Sequence, residues 1–150
     1  MNMRDTLMYF ALEYEGDFKQ IFLALQSKER VDADKYFELK NQKKYKHFTL
    51  IDQNYPDYFK QMNCPPIVLF YAGNKELFRS DMPIRELFLE DGTRAYSTIE
   101  PTEQNGKIVF DYVIACENHD DVKPLLEHMK SKGLPLKEME KQLKKEEKIC

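Results

Sequence analysis

Along the first third of the chain, apolar side chains recur at intervals of three and four residues, the period of a helix with one buried face. This spacing predicts a first helix over about Arg4–Tyr14, which Gly16 ends. Asp17 is placed to cap a second helix, and Asp32 or Asp34 a third, because a short side-chain oxygen can accept from the unpaired N–H groups of a first turn. We therefore expect a helical region over residues 1–46.

From residue 47 onward the apolar runs become shorter and turn residues more frequent. His47–Ile51 and the apolar run Ile67–Tyr71 predict two strands, and Pro56 suits the first position of a short helix between them. A strand, a helix and a strand in close succession predict a small α/β unit over residues 47–78, with the two strands parallel.

Residues 79–133 show a different pattern, in which three strand candidates are separated by turn signals. Asp91-Gly92 lies between the first two strands, and the loop Pro101–Gly106, which ends in Asn-Gly, lies between the second and the third. The predicted strands are Ile84–Leu89, Thr93–Ile99 and Lys107–Ala115. The pattern predicts a three-stranded antiparallel meander, followed by a helix that begins after Asn118 or Asp120 and packs on it.

The strand Lys107–Ala115 is apolar on both faces, which is typical of a central strand covered on both sides. The helix Val122–Met129 can cover one face. The other must pack on the N-terminal half of the chain or on a second molecule, since Val109, Val113 and Ala115 would otherwise form an exposed apolar stripe.

Residues 134–150 alternate Lys and Glu and predict a charged C-terminal helix or tail, with a solvated helix over Lys137–Lys148. The predicted fold class is α+β.

Composition narrows the class of protein further. The 150 residues carry 23 Lys and Arg against 26 Asp and Glu, a net charge of −3, so the surplus of positive charge typical of nucleic-acid binders is missing. The longest apolar run, Ile67–Ala72, is too short to span a membrane, and the first residues lack the pattern of a signal peptide. Three widely spaced cysteines fit a reduced, cytoplasmic protein better than a disulfide scaffold.

One cluster of basic residues contains an aromatic side chain, as single-strand binding surfaces do: lysines would contact phosphates and the ring would stack on a base. Its members are Lys40, Lys43, Lys44, Tyr45 and Lys46. The alternative, which we favour, is a polar helix end where lysine complements the macrodipole. Only Lys40, Lys43 and Lys44 could share one helix face.

Cys116, His119 and His128 are the candidates for a metal site or for a Cys–His catalytic pair. A structural zinc would need a fourth ligand at a recognisable spacing, and neither Cys64 nor Cys150 provides one. We therefore expect no metal, no cofactor and no catalytic residues, with Cys116 at the end of a buried strand and both histidines on a helix surface. The paired carboxylates Asp120-Asp121 and Glu90-Asp91 are interpreted as a helix start and a turn.

One motif is more specific: Asp-x-x-Tyr-Pro, then a Pro-Pro break, then an apolar strand that ends in Phe-x-x-Gly. Its residues here are Tyr55, Pro56, Pro65, Pro66, Phe70 and Gly73. It resembles the segment that opens the Rossmann-like domain of the DNA-processing protein A (DprA/Smf) family. The helical first 45 residues resemble that family's N-terminal region more loosely, so the resemblance covers residues 1–78.

The resemblance implies a role linked to DNA processing, since family members hold single-stranded DNA on a glycine-rich loop with basic residues. This chain has five glycines and no such loop, and nothing after Phe78 resembles the DNA-binding core, so no phosphate-binding residue is carried over. We expect a non-catalytic, DprA-related accessory or interaction module of a bacterial cell or mobile element, with a protein partner or a second copy and no membrane. The alternatives are a weak single-stranded nucleic-acid binder and a small enzyme that uses Cys116 and His119.

Overall fold

The computed structural model describes residues 2–79, 82–133 and 135–136. Within these residues the chain forms five α-helices and one sheet of five strands, which confirms the α+β class. The helices are α1 (Met3–Glu13), α2 (Phe18–Gln26), α3 (Ala33–Gln42), α4 (Asp57–Lys60) and α5 (Val122–Ser131). The strands are β1 (Lys46–Thr49), β2 (Val68–Gly73), β3 (Arg85–Phe88), β4 (Arg94–Gln104) and β5 (Lys107–Cys116). The helix expected over Lys137–Lys148 lies outside the described residues.

Each of the three N-terminal helices begins after a capping side chain, and the predicted caps Asp17 and Asp32 are confirmed. Asn2, Asp17 and Asp32 each accept a hydrogen bond from the backbone N–H three residues later, over 2.8–3.1 Å. Each bond satisfies one of the N–H groups that a first helical turn leaves unpaired. None of the helices in the described part of the chain is long and apolar enough to cross a membrane.

The predicted parallel pairing of the first two strands is wrong. β1 and β2 are antiparallel neighbours, with Thr49 opposite Val68, and the Leu50 N–H donates to the Ile67 carbonyl over 2.9 Å just beyond the ladder. The connection contains only the single helical turn α4, which is too short to carry the chain back along the sheet. The segment between Leu50 and Ile67 is therefore a closed loop.

The three-stranded meander is part of a larger sheet. β3, β4 and β5 pair antiparallel as predicted, but β2 continues the sheet on the free side of β5, in the order β1-β2-β5-β4-β3. This places β5 in the centre, as its apolar residues on both faces require.

β4 extends five residues beyond its predicted end and includes Pro101. Pro101 lies opposite Phe110, whose N–H points away from β4 and donates to the Pro135 carbonyl over 2.8 Å. By the alternation of an antiparallel ladder, the nitrogen of Pro101 also points outward, so its missing N–H costs no ladder bond. The predicted loop shrinks to the two-residue turn Asn105-Gly106, both at positive φ.

The two faces of the sheet have separate cores. On one, the helix face, α1 and α5 pack on Phe70, Tyr112 and Ile114. On the opposite face, Val113 and Ala115 lie under residues of the N-terminal half, among them Phe59 of α4. Of the two covers predicted for this face, the structure therefore contains the N-terminal half.

Candidate functional site

Cys116 is the last residue of β5 and is 0 % exposed. Burial raises the pKa of its thiol far above the ordinary value, so the nucleophilic thiolate is strongly disfavoured. The environment is that of a structural cysteine, as predicted for the end of a buried strand.

His119 lies in the turn between β5 and α5, and its ring joins that turn to the N-terminal region. Its Nε2 accepts hydrogen bonds from the backbone N–H groups of Lys44 (2.9 Å) and Tyr45 (3.3 Å), while Nδ1 lies 3.2 Å from a carboxylate oxygen of Asp120. An accepting Nε2 places the proton on Nδ1, so the ring is neutral. Burial lowers its pKa, although the hydrogen bond to Asp120 opposes this shift. Nε2 is therefore occupied and cannot take a proton from Cys116.

The expectation that both histidines lie on a helix surface is correct for His128 and wrong for His119, which is 8 % exposed. The ring contacts Phe70 edge-on, with centroids 5.1 Å apart, and Tyr45 at 5.3 Å. The aromatic neighbours and the two backbone donors come from segments distant in sequence, so no local pattern marks this position as buried.

His119→Ala is expected to lower the free energy of unfolding by about 2–4 kcal/mol, because two buried backbone N–H groups lose their acceptor and the ring leaves a cavity. The measurement is urea unfolding followed by circular dichroism. His128→Ala, at an exposed position of α5, is the matched control and should change stability by less than about 0.5 kcal/mol. Equal effects of the two substitutions would contradict the bridging role of His119.

The described residues contain no group of three or more His, Cys, Asp or Glu side chains placed to hold a metal ion. Cys64 is exposed and forms no disulfide, and Cys150 lies outside the described residues.

The structure separates the basic cluster instead of presenting it as one surface. Helix α3 ends at Gln42, so Lys43 and Lys44 lie beyond the helix and even the three lysines that could have shared a face do not do so. Lys40 lies over the Tyr36 ring, 5.8 Å from its centroid. Tyr45 packs on His119 and is partly buried, so its ring is not presented for stacking on a base.

Lys43 points inward, where its Nζ lies 2.9 Å from Nδ1 of His47. Burial and the nearby charges of Arg4 and Lys40 lower the pKa of Lys43 to about 8. Burial and the Lys43 charge also lower the pKa of His47, to about 3, so this ring is neutral and accepts from the ammonium group. Lys43 is thus a structural residue whose ammonium group is directed at His47 and not at a ligand.

Stability is expected to fall as the pH is lowered from 7 to 5. In the unfolded chain a histidine takes up a proton near pH 6.5, whereas folded His47 and His119 resist protonation because their pKa values are lowered. The free energy by which each neutral ring favours the folded state is therefore fully present above pH 6.5 and is lost progressively below it. The loss is up to about 1.4 kcal/mol per pH unit for each group. His47→Gln should have a shallower dependence than the wild type in urea unfolding at several pH values. An unchanged slope in this variant would contradict a partly buried, neutral His47.

Binding to single-stranded DNA is expected to be weak or absent. Three lysines of the cluster, Lys40, Lys44 and Lys46, are exposed. Each phosphate contact contributes a slope of about −0.7 to the log–log salt dependence, so any binding at low salt should disappear near physiological salt. Fluorescence anisotropy with a labelled oligothymidine measures this, and sub-micromolar binding at physiological salt would contradict it.

The residues that carry the DprA resemblance hold the loop between β1 and β2 together. Tyr55 is buried, and its hydroxyl donates to the Pro66 carbonyl over 2.7 Å, which ties one end of the loop to the other. Pro56 is the residue before α4 and not its first residue. Pro65, at the start of the break, is partly buried, and Pro66 is buried.

The last two residues of the motif lie on β2. Phe70 is fully buried on the helix face between the rings of His47 and His119. Gly73 has φ +99°, and a Cβ there would lie 2.2 Å from the Tyr112 carbonyl oxygen, so only glycine allows β2 to approach β5 this closely.

One cluster of polar side chains could not be identified from the sequence, because its members come from two segments that are far apart along the chain. Asp91 accepts hydrogen bonds from Thr93 and Asn118, and the Thr93 hydroxyl also lies 3.0 Å from Asp121. Burial opposes ionisation of Asp91, but hydrogen bonds from Asp121, Thr93 and Asn118 outweigh it and lower its pKa to about 2. Burial and the neighbouring Asp91 raise the pKa of Asp121 to about 6. The hydrogen bonds that Thr93 and Asn118 make to these carboxylates join the β3–β4 turn to the start of α5.

A surface rich in aromatic side chains lies where Arg94 of β4 meets Phe18 of α2, and we call it the aromatic strip: Phe22, Phe18, Arg94 and Phe88. The rings of Phe18 and Phe22 stack with centroids 6.1 Å apart, and the Arg94 guanidinium lies 5.7 Å from the Phe18 ring. Glu117 holds Arg94 through two hydrogen bonds of 2.8 and 3.0 Å. Phe88 is the cross-strand neighbour of Arg94 and, at 77 % exposed, the most exposed large apolar side chain in the described part of the chain.

Comparison of this chain with protein-family models, with curated proteins and with solved structures finds no match.

Proposed function

We propose that this chain is a non-catalytic, DprA-related accessory protein that acts by binding another protein through the aromatic strip. The observation that carries the proposal is the exposure of Phe88 beside a fixed arginine and a stacked pair of phenylalanines. Aromatic residues and arginine are enriched in the energetically dominant centres of protein interfaces. A partner would bury Phe88 without first having to order its neighbours, since Glu117 already holds Arg94.

The burial and hydrogen bonding of the other candidate functional residues favour a binding role over a catalytic one. Cys116 is buried with a raised thiol pKa, and His119 uses both ring nitrogens within the fold. Lys43 and Tyr45, at the centre of the basic cluster, face the protein. The free thiols of Cys64 and Cys116 support a cytoplasmic location. The link to DNA processing in a bacterium or mobile element rests on the motif from Tyr55 to Gly73.

Site-specific crosslinking tests the proposal. A photoreactive phenylalanine analogue replaces Phe88 in the full chain, which is irradiated in the host cell and, as a purified protein, alone. We expect one reproducible adduct of defined mass, formed in the cell and identified by mass spectrometry. An adduct of the purified protein alone identifies the partner as a second copy.

The control position is Ile108, which is 68 % exposed near the tip of the β4–β5 hairpin and away from the strip. The analogue at position 108 should not form the same adduct, and Phe22→Asp should abolish the adduct formed at position 88. The absence of any specific adduct at position 88, or equal adducts at both positions, would contradict a binding role for the strip.

A further inference from the structure

A groove lies on the helix face of the sheet, between α5 and the strands β3 and β4. Helix α5 packs on β5 and β2, and the surface beside it forms a cavity of about 260 Å³. Leu87, Ile99 and Ile114 form its floor, one from each of three neighbouring strands, and Leu125 and Met129 of α5 form its wall. We call this cavity the α5 groove.

All ionisable residues that line the α5 groove are basic: Arg85 on β3, and His128 and Lys132 along α5 and at its end. Within the described part of the chain, the side chains of Arg85 and Lys132 have no ion pair or hydrogen bond. By contrast, Arg4 and Arg94 are paired with carboxylates. Two cations without counter-charges therefore flank an apolar floor.

We propose that the α5 groove binds a small anionic amphiphile, a carboxylate on an unbranched apolar chain of medium length. The apolar chain would lie on Leu87, Ile99 and Ile114, and the carboxylate would lie between Arg85 and Lys132. Guanidinium and carboxylate groups match in geometry and form strong charge-assisted hydrogen bonds. An apolar cavity with a few convergent polar groups is the usual form of a small-molecule site.

The size and lining of the groove favour this ligand over larger ones. A cavity of 260 Å³ is just below the usual range of about 300–1,000 Å³ for ligand sites, which suits one short chain. Nucleotides require stacking surfaces or several polar groups for a base, whereas the lining contains no Phe, Tyr or Trp ring, and its polar side chains besides Arg85 and Lys132 are those of Ser97 and His128. The ligand is therefore a free small molecule in solution.

The test is a titration of the full chain, labelled at its Ile, Leu and Met methyl groups, with sodium decanoate below its micellar concentration at low salt. Two-dimensional NMR should show saturable shifts of the methyl groups of Ile99, Leu125 and Met129, while those of Ile21 and Leu69, in other parts of the core, stay in place. Decyltrimethylammonium, with the same chain and the opposite charge, should cause no saturable shift. Added salt should weaken the binding of decanoate.

Charge-reversal variants locate the carboxylate. Arg85→Glu and Lys132→Glu should each weaken decanoate binding by about tenfold or more, the loss expected for a hydrogen bond to a charged group. Lys123→Glu makes the same charge change on an exposed position of α5 that does not line the groove, and it should leave binding unchanged. Absence of saturable shifts at the groove, equal binding of the cationic amphiphile, or equal effects of all three variants would overturn the proposal. None of these outcomes bears on crosslinking at Phe88, so the two proposals stand or fall separately.

Discussion

Val113→Asp is expected to unfold the protein at neutral pH. Val113 lies in the central strand β5, is 0 % exposed, and is paired on one side with Gly73 and on the other with Thr98. Its side chain belongs to the core that contains Phe59 and Tyr96. A carboxylate at this position would lose its hydration without gaining a cationic partner.

The expected loss is at least about 4 kcal/mol, a large fraction of a typical total stability of about 5–15 kcal/mol. Circular dichroism and light scattering after size-exclusion chromatography measure folding and mass together. Ile108→Asp introduces the same charge on the same strand at a position 68 % exposed, and should change stability by less than about 0.5 kcal/mol.

A folded Val113→Asp variant with a melting temperature close to wild type would show that this face is not the core that the structure describes. A folded variant whose mass is halved would show instead that a second copy covers the face.

Gly16→Ala is expected to cause the second large loss, about 3–5 kcal/mol. Gly16 has φ +78°, and a Cβ there would lie 2.3 Å from the carbonyl carbon and oxygen of Glu117 and 2.5 Å from the Asn118 nitrogen. These atoms belong to the buried backbone just before His119, so they cannot move aside as a flexible side chain would. The turn between α1 and α2 would have to separate from the segment that joins β5 to α5.

Gly106→Ala is the matched control because Gly106 has nearly the same φ, +76°, and nothing lies within 4 Å of its virtual Cβ. Its loss should be only the conformational cost of a left-handed alanine, about 1–2 kcal/mol. The difference between the two variants in urea unfolding measures the contact between Gly16 and Glu117. Equal losses would show that backbone conformation alone explains the need for glycine at position 16.

Gly16 and His119 both support the contact between the N-terminal helical region and the segment that joins β5 to α5. Gly16 allows the N-terminal helices to touch the backbone of Glu117, and His119 bonds the chain after α3 at Lys44 and Tyr45. We therefore expect both substitutions to loosen the helices from the sheet. In either variant, the rate of amide hydrogen exchange should increase over that of the wild type more in α1 than in β5.

The local sequence was sufficient to locate the helices and strands. The three-to-four-residue spacing and the caps Asp17 and Asp32 placed α2 and α3 within a few residues of their observed bounds. The turn signals Asp91-Gly92 and Asn105-Gly106 separated β3, β4 and β5 correctly. These features succeed because periodicity, capping and turn conformation depend on residues close together in the chain.

The pairing of those elements depended on contacts between distant residues. Nothing near Val68 indicates that β2 runs antiparallel to β1 and pairs with β5, and nothing near Pro101 shows that its nitrogen faces away from β5. A strand carries the same alternation whichever neighbour it pairs with, so direction and order in the sheet are decided only when the faces are buried together. Several features are therefore decided only by the tertiary structure. His119 is buried, and Lys43 and Tyr45 face the protein. Asp91 and Asp121 lie on either side of Thr93, and Arg85 and Lys132 line one apolar groove.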